Sequence, residues 1–414
     1  MNVAGDVYIL GGYQSDFAAN WARNGQEIAD GMREVLEQGL ASVQLEPQEL
    51  DTAHVGNFAA ELFCNQGHLG GLLAASLPDL AGIPASRHEG ACASGSLAAL
   101  AAAAEIEAGR YELAAVVGIE QMRNVPGDQA AKLIGPTAMW SGHECVDVKY
   151  PWPHVFSELA DEYDRRYGLR YPHLARIAEV NFTNARRNPN AQTRRWEFNE
   201  KSFTEDDTAN PVIAGRTRKQ DCGQISDGAA VVFLASERVA REWAARRGRP
   251  LGSIAKIEGW GHRTAPISYQ RKIELSAGQP YVFPFVRATI TDAFRRAGLA
   301  GVEQVDGIET HDCFTATEYM AIDHFGITPP GQSWQAIENG DIEIGGRIPV
   351  NPSGGLIGLG HPVGATGVRM LLDSFKQVTG TAGAYQVEGA QRFATLNIGG
   401  SATTTVSFIV GRAA

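Results

Sequence analysis

The sequence predicts an α/β protein made of two similar halves, with a long insertion in the first half. Strands alternate with helical stretches along most of the chain, which is typical of a mostly parallel sheet covered on both faces. The terminal strand Thr404–Val410 repeats the placement of Ala229–Leu234, which predicts an internal duplication. A stretch at about 121–221 interrupts the alternation and is rich in Arg, Asn, Trp and Pro. We therefore predict halves at 1–248 and 249–414, with the insertion lying over the sheet.

Each element is predicted from its own residue pattern. In the first helix, the apolar residues Ile28, Met32 and Val35 recur at helical spacing, and Gly109 is placed to end the alanine-rich helix. The first half is predicted to contain an apolar strand at 7–10, a helix at 26–43, an extended stretch at 51–59, a helix at 93–108, a strand at 113–118, an amphipathic stretch at 172–187 within the insertion, a strand at 228–234 and a helix ending near 247. The second half is predicted to contain strands at 253–259, 305–310, 393–398 and 403–410 and helices at 286–297, 316–325 and about 367–377.

Composition excludes several classes of protein. The 414 residues include 36 basic and 47 acidic side chains, and 36 − 47 = −11 is a net charge that repels nucleic-acid phosphates. No apolar run reaches the roughly 18 residues of a membrane span. Five widely spaced cysteines fit reduced thiols better than a disulfide framework, so we expect a cytoplasmic protein.

The segment Gly90-Ala91-Cys92-Ala93-Ser94 places one thiol among small residues between a strand and a helix. The positive end of the helix dipole favours a thiolate there, which makes Cys92 a candidate nucleophile. Its backbone amide is also able to bind an oxyanion. A buried structural cysteine explains the segment equally well.

The segment His311-Asp312-Cys313-Phe314 follows the predicted strand Val305–Thr310. The carboxyl ends of strands face the crevice in which α/β proteins bind ligands. His311 can donate a hydrogen bond to a carbonyl oxygen, and Cys313 faces the same side two residues later. A metal site would need a second pair of ligands at useful spacing, and we find none. A polar strand end without a function remains an alternative.

Two glycine-rich segments follow. In Gly358-Leu359-Gly360-His361-Pro362, a histidine sits in a rigid turn before a helix, which suits a general base or an oxyanion donor. The segment lacks the lysine of a phosphate-binding loop and does not match GxGxxG after a strand. In Asn397-Ile398-Gly399-Gly400-Ser401, the Gly399 amide is a second candidate oxyanion donor and Asn397 a candidate pocket residue, with a plain hairpin turn as the alternative.

Other candidates are weaker. His143-Glu144-Cys145 resembles half of a metal site but has no partner residues, so we interpret it as a loop. Cys64 and Cys222 are expected to be packing residues. The basic side chains of the insertion are expected to be solvated or to bind ligand phosphates, namely Arg186, Arg187, Arg194, Arg195, Arg216, Arg218 and Lys219.

The motifs GACASG, HDCF and GLGHPVGATG occur in this order and together resemble the thiolase superfamily. HDCF is similar to the sterol-carrier-protein type, whereas the common type has Asn-Glu-Ala-Phe there. The resemblance implies two βαβαβαββ halves in five layers with an inserted loop domain. Common thiolases have a second catalytic cysteine in the last glycine-rich turn. Asn397 occupies that position here, and the resemblance assigns the role to Cys313.

The resemblance also implies an activity. A thiolase cleaves a 3-oxoacyl-CoA to acetyl-CoA and a shortened acyl-CoA, or runs the reverse Claisen condensation. Cys92 would carry the acyl group and His361 would accept its proton, while His311 and His361 stabilise the oxyanion. Cys313 would exchange protons with the enolate and with CoA. The amides of Cys92 and Gly399 would bind the thioester oxygen.

The remaining expectations follow from the same resemblance. Asn397 and Phe314 would line the pocket. Coenzyme A is expected as a co-substrate, without a bound cofactor or metal. The partners expected are acyl-CoA substrates and further copies of the chain in a homodimer or homotetramer. Two alternatives stay open: a ketoacyl-synthase-like condensing enzyme, and a non-catalytic acyl-CoA-binding subunit.

Overall fold

The computed structural model describes residues 5–414, so the first four residues of the predicted N-terminal half lie outside it. The strands are β1 Val7–Gln14, β2 Thr52–Gly56, β3 Ala85–His88, β4 Leu113–Glu120, β5 Val212–Ala214, β6 Thr217–Arg218, β7 Gly228–Ser236, β8 Ala255–Thr264, β9 Gly307–Thr310, β10 Arg392–Gly399 and β11 Thr404–Arg412. The helices are α1 Ile28–Val43, α2 Ala60–Cys64, α3 Leu69–Ser76, α4 Ser94–Glu107, α5 Gly127–Ile134, α6 Pro151–Tyr167, α7 Tyr171–Ala185, α8 Glu237–Arg246, α9 Tyr269–Leu275, α10 Pro284–Arg296, α11 Thr315–Phe325, α12 Ser333–Glu338 and α13 Thr366–Thr379. Along residues 5–414, no helix has the length and apolar character that crossing a bilayer requires.

The strand order confirms the predicted duplication. Nine strands form one sheet in the order β3-β2-β4-β7-β1-β8-β11-β10-β9. If the five first-half strands of this sheet (β1, β2, β3, β4 and β7) are numbered 1 to 5 along the chain, their order is 3-2-4-5-1. The second half repeats it from the opposite edge, because Val350 pairs in parallel with Ile308 and supplies the missing third position. The halves meet where β1 and β8 run antiparallel, with Val7 opposite Ile257.

The expectation of a mostly parallel sheet is wrong. Among the eight ladders of the nine-stranded sheet, those of β2 with β3, β2 with β4 and β9 with β10 are parallel, and the other five are antiparallel. The fifth strand of each half causes the difference. β11 follows β10 through a short turn, which can join only antiparallel strands, and β7 follows the insertion instead of a crossover helix.

The helices form the remaining layers. α4 and α13 pack against each other between the two halves of the sheet, where Ala98 and Ala102 of α4 share a core cluster with Leu371 of α13. Alanine side chains allow the two helices to approach closely. α1 covers the outer face of the first half and α10 covers that of the second, which gives five layers. The loops that precede α4 and α13, which contain Cys92 and His361, therefore lie near one another.

The insertion contains more helix than the sequence predicted. The predicted amphipathic stretch is α7, but α5 and α6 are also present. α6 begins with Pro151-Trp152-Pro153, a sequence that suggests a loop, although proline is tolerated in the first turn of a helix. α6 and α7 both pack against α11, so the insertion packs on a helix of the second half.

Candidate active site

The four predicted catalytic side chains converge. The Cys92 sulfur and one ring nitrogen each of His311 and His361 lie within 4.8 Å of one another. No other group of three His, Cys, Asp or Glu side chains among residues 5–414 is identified as converging this closely. Cys92, Cys313 and His361 also line one cavity of about 500 Å³. The two thiols and the His361 imidazole therefore face the same space.

The backbone before α4 positions Cys92. It lies in the turn Ala91–Ala93, directly before the first residue of that helix. Ala91 has φ +50°, in the left-handed region that residues other than glycine seldom adopt. Ser94 holds this turn, since its Oγ accepts from the Gly90 N–H at 3.0 Å and donates to the Ala91 carbonyl at 2.6 Å. The local strain thus turns the sulfur toward the cavity.

The expectation that the helix dipole keeps Cys92 ionised is wrong for the free protein. Burial raises the pKa of the Cys92 thiol to about 12, and the carboxylates of Glu120 and Glu89 act in the same direction. A hydrogen bond from the Gly400 amide lowers that pKa but does not offset the loss of solvent. Cys92 is therefore a neutral thiol at rest and needs a base to become a nucleophile.

His361 has the protonation pattern of that base. Its backbone N–H donates to Ser226 Oγ at 2.8 Å, and its ring Nδ1 lies 2.7 Å from Thr366 Oγ1. The Thr366 hydroxyl donates to the Pro362 carbonyl at 3.2 Å, so Oγ1 accepts from Nδ1–H. Nε2 then carries a lone pair, and it is buried without a hydrogen-bond partner in the described part of the chain. Burial, with Arg369 adding to it, lowers the pKa of His361 to about 3 and keeps the ring neutral.

His311 is connected to helix α4 through Asn397. The side-chain amide of Asn397 donates to His311 Nδ1 at 3.1 Å, and its oxygen accepts from Ser96 Oγ at 2.9 Å. Burial lowers the pKa of His311 well below its ordinary value, and the nearby His361 and Arg369 lower it further. His311 is therefore also neutral.

The other HDCF residues shape the cavity and hold the His361 loop. Burial raises the pKa of the Cys313 thiol well above its ordinary value, so this thiol is protonated at rest. Phe314 lines the cavity and stacks on Phe156 of α6, with ring centroids 4.7 Å apart. The Asp312 carboxylate accepts from the amides of Leu356 at 2.6 Å and Ile357 at 3.2 Å. These bonds tie the glycine-rich loop to the end of β9.

The last glycine-rich turn contacts the loop that contains Cys92. A Cβ on Gly399 would lie 2.0 Å from the Gly90 carbonyl oxygen, so only glycine fits there. The amide that reaches the Cys92 sulfur belongs to Gly400, one residue beyond the predicted oxyanion donor. The turn thus supplies a backbone donor to the sulfur, while the role of the Gly399 amide stays a prediction.

The weaker sequence candidates have different surroundings. The Glu144 carboxylate accepts from the amides of Trp140 and Tyr269, which fits the loop interpretation of His143-Glu144-Cys145. Arg216 pairs with acidic residues of α6. Arg194 pairs with Asp16 and Arg218 with Asp207. Lys219 lines the cavity, and none of the described carboxylates lies within ion-pair distance of it.

Sequence reasoning overlooked several residues of the site. Cys222 packs against the hydrophobic core as expected, and it also lines the cavity together with Cys92 and Cys313. Thr366 lies inside GLGHPVGATG and Ser96 directly follows GACASG, yet only the folded chain reveals that Thr366 contacts His361 and that Ser96 is linked to His311 through Asn397. Ser226 and Glu120 lie at the ends of connections far from those motifs. Glu120 accepts from the amides of Phe58, Ala59 and Gly364 and so joins two loops of the cavity.

The fold and the site define a class of protein: duplicated α/β proteins with a cysteine and two histidines gathered between their halves. Residues 7–238 match the family described as thiolase, N-terminal domain, and residues 270–412 match the thiolase C-terminal domain-like family. The chain therefore belongs to the thiolase family.

Individual relatives agree with this assignment. The acetyl-CoA acetyltransferase of Methanothermobacter thermautotrophicus is 32% identical, over 98% of this chain and 100% of the relative. Human sterol carrier protein 2 is 28% identical, over 97% of this chain and 71% of the relative. Among solved structures, an Ltp2-ChsH2(DUF35) aldolase superposes with a TM-score of 0.78 at 20% identity, over 100% of this chain and 99% of that chain. An acetyl-CoA acetyltransferase from Syntrophomonas wolfei superposes with a TM-score of 0.69 at 18% identity, over 99% of both chains.

Proposed function

We propose that this protein is a catalytic thiolase that works through an acyl group on Cys92. The observation that carries the proposal is the unpartnered Nε2 of a neutral His361 in the cavity that also holds the thiols of Cys92 and Cys313. A base, a nucleophile and a second acid are the groups that reversible cleavage of a carbon–carbon bond next to a thioester requires.

The first step is acylation. His361 Nε2 takes the proton of the Cys92 thiol while the sulfur attacks the keto carbon of a 3-oxoacyl-CoA. The keto oxygen becomes an oxyanion. His361 now carries a hydrogen on Nε2, so it can donate to that oxyanion together with His311. The base thus becomes an oxyanion donor through the proton it has just accepted.

The second step is cleavage. When the carbonyl re-forms, the bond between C2 and C3 breaks and acetyl-CoA leaves as its enolate. The Cys313 thiol protonates C2, and the shortened acyl group stays on Cys92. The raised pKa of Cys313 supports this role, because an acid must hold its proton until the carbanion develops.

The last step restores the enzyme. The Cys313 thiolate takes the proton of an incoming CoA thiol, and the CoA sulfur attacks the thioester on Cys92. The amides of Cys92 and Gly399 bind the second oxyanion. The acyl-CoA leaves, and Cys92 takes back its proton from His361. Read in reverse, the same steps perform a Claisen condensation.

The cavity supports a substrate with an apolar arm. Its wall combines side chains from the insertion and from both halves, namely Phe58, Met122, Ile134, Trp152, Phe156 and Phe314. Lys219 adds an unpaired cation to this wall. A phosphate of CoA is the partner expected for such a cation.

The proposal is tested by incubating purified protein with CoA and a panel of 3-oxoacyl-CoA substrates that differ in chain length and bulk. Acetyl-CoA and a shortened acyl-CoA should form in equal amounts with at least one member. Failure with every member, alongside turnover of malonyl-CoA, would favour the ketoacyl-synthase-like alternative. Binding of acyl-CoA without product in either assay would favour a non-catalytic subunit.

A further inference from the structure

A chain of three buried polar groups leads from helix α4 to His311. Ser96 Oγ donates to Asn397 Oδ1 at 2.9 Å, and Asn397 Nδ2 donates to His311 Nδ1 at 3.1 Å. Asn397 is completely buried, and Ser96 and His311 are nearly so. An amide nitrogen only donates, so the ring nitrogen that faces it must accept. The hydrogen of a neutral His311 is then on Nε2.

We infer that Asn397 is a positioning residue that fixes His311 as the Nε2–H tautomer and so makes it an oxyanion donor. The inference rests on the proposed function and deepens it. The two imidazoles are then complementary: Thr366 leaves a lone pair on Nε2 of His361, whereas Asn397 leaves a hydrogen on Nε2 of His311. One ring can accept the Cys92 proton while the other already donates.

Helix α13 packs directly against Ser96 and Asn397. A Cβ on Gly367 would lie 2.3 Å from Ser96 Oγ and 2.6 Å from Asn397 Oδ1, so α13 closes directly over this pair. The other end of the amide contacts His311 Nδ1 directly at 3.1 Å, with no bridging group between them.

A fixed tautomer is needed because His311 is not charged. The charged and titratable groups that face it are Cys92, His361 and Arg369, with Asp312 and Cys313 adjacent in the chain. Arg369 and burial both oppose an imidazolium. A neutral ring has only one hydrogen to place, and the partner of Nδ1 decides where it goes.

The decisive variant is Asn397→Asp. A carboxylate only accepts, so a neutral His311 must turn its hydrogen to Nδ1 and lose the Nε2 donor. One extra proton, on either the introduced carboxyl or the His311 imidazole, restores the hydrogen on Nε2 of His311. The variant should therefore cleave a 3-oxoacyl-CoA at low pH and lose kcat about tenfold per pH unit above one new ionisation, reaching a loss of roughly 10²-fold or more. KM should change little.

Asn210→Asp is the matched control. Asn210 is equally buried, but its amide donates to Tyr171 and to the Thr204 carbonyl in the insertion, with no imidazole involved. This variant should retain the wild-type pH profile. If both variants gain the same ionisation, or if Asn397→Asp gains none, the inference is wrong.

A second assay separates positioning from damage to the fold. Exchange of labelled CoA into acetyl-CoA needs Cys92, His361 and Cys313 but forms no oxyanion at a keto carbon. Asn397→Asp and Asn397→Ala should keep this exchange within about threefold of wild type while losing cleavage. An equal loss of both activities would indicate a merely structural role and overturn the inference.

The tautomer can also be observed without turnover. In protein labelled with ¹⁵N at its histidines, the His311 signals, identified by their absence in His311→Gln, should show a protonated Nε2 and an unprotonated Nδ1. At high pH, Asn397→Asp should show the reverse pattern, with Nδ1 of His311 protonated and Nε2 unprotonated. A wild-type His311 protonated at Nδ1 would overturn the inference. A wild-type protein that neither exchanges nor cleaves would instead overturn the proposed function, and the ¹⁵N result would still decide the tautomer.

Discussion

The imidazole rings of His311 and His361 stand at 88° to each other with their centroids 5.1 Å apart. Burial lowers the pKa of both imidazoles, and the nearby His361 lowers that of His311 further. The site is consequently neutral before substrate binds. In the proposed mechanism, charge develops only when Cys92 transfers its proton, which is the moment at which the oxyanion needs donors.

The resting state of Cys92 can be tested by alkylation. A thiol with a pKa of about 12, beside an imidazole with a pKa of about 3, contains very little thiolate at neutral pH. Because only the thiolate reacts, iodoacetamide labelling of Cys92 should accelerate about tenfold per pH unit from about pH 6 to 9 without a plateau. Peptide mass mapping separates this cysteine from the other four. A plateau with a midpoint near neutral pH would instead indicate a preformed thiolate–imidazolium pair.

The role of Cys313 can be tested against a neighbouring thiol. Cys313 and Cys222 line the same cavity, but only Cys313 is assigned to proton transfer. Cys313→Ala should lower kcat for cleavage about 10²- to 10⁴-fold, whereas Cys222→Ala should change it less than about threefold. Steady-state assays with one 3-oxoacyl-CoA are sufficient. Equal effects would remove the assignment, and malonyl-CoA condensation that persists in Cys313→Ala would favour the ketoacyl-synthase-like alternative.

The cation on the cavity wall should affect binding more than chemistry. Lys219→Ala is expected to raise KM for CoA about three- to tenfold with kcat nearly unchanged, because a charge-assisted contact with a phosphate would be lost. Lys201→Ala is the control, since Lys201 pairs with Asp206 on the surface of the insertion. Initial-rate measurements on both variants test this, and a KM for CoA that stays at the wild-type value in Lys219→Ala would contradict the assignment.

The core of the second half contains a buried ion cluster whose loss should destabilise the fold. Arg369 is completely buried and lies 2.6 Å from Glu309 and 3.1 Å from Asp373. Arg369→Met leaves Glu309 without a counterion and Asp373 with only Lys376 at 3.6 Å, and it should reduce the free energy of unfolding by about 3–5 kcal/mol.

The control for that prediction is Arg392→Met. Arg392 pairs with Glu258 at 2.6 Å, but both side chains are partly exposed, so its loss should cost about 1 kcal/mol or less. Chemical denaturation followed by circular dichroism compares the two variants. Similar midpoints would mean that burial adds nothing to the importance of the Arg369 cluster.

The sequence was sufficient to predict the elements that repeat. The alternation of strands and helices located α1, α4 and α13, and the correspondence of β7 with β11 predicted the duplication. Strand direction was not predictable in this way, because apolar strands buried on both faces have the same pattern in parallel and antiparallel ladders. Helix α6 was also not predicted, because Pro151 and Pro153 suggest a loop. Only the folded structure shows that both prolines lie in the first turn of a helix, where proline is tolerated.

The site was partly predictable for a related reason. The glycine-rich motifs pointed to Cys92 and His361, because glycine allows the close backbone approach that a site requires, and the end of a predicted strand pointed to His311 and Cys313. No pattern in the sequence indicates the hydrogen-bond partners of these side chains. The protonation state of Cys92 was predicted wrongly because a local dipole argument omits the burial that only tertiary structure imposes.

The central claim is that Cys92 carries the acyl group, and intact-protein mass spectrometry tests it most directly. After brief exposure to a 3-oxoacyl-CoA without free CoA, wild-type protein should gain the mass of one acyl group, located at Cys92 by peptide mapping and released on addition of CoA. Cys92→Ala should gain no mass. An adduct on another residue, or turnover in Cys92→Ala at the wild-type rate, would contradict the account.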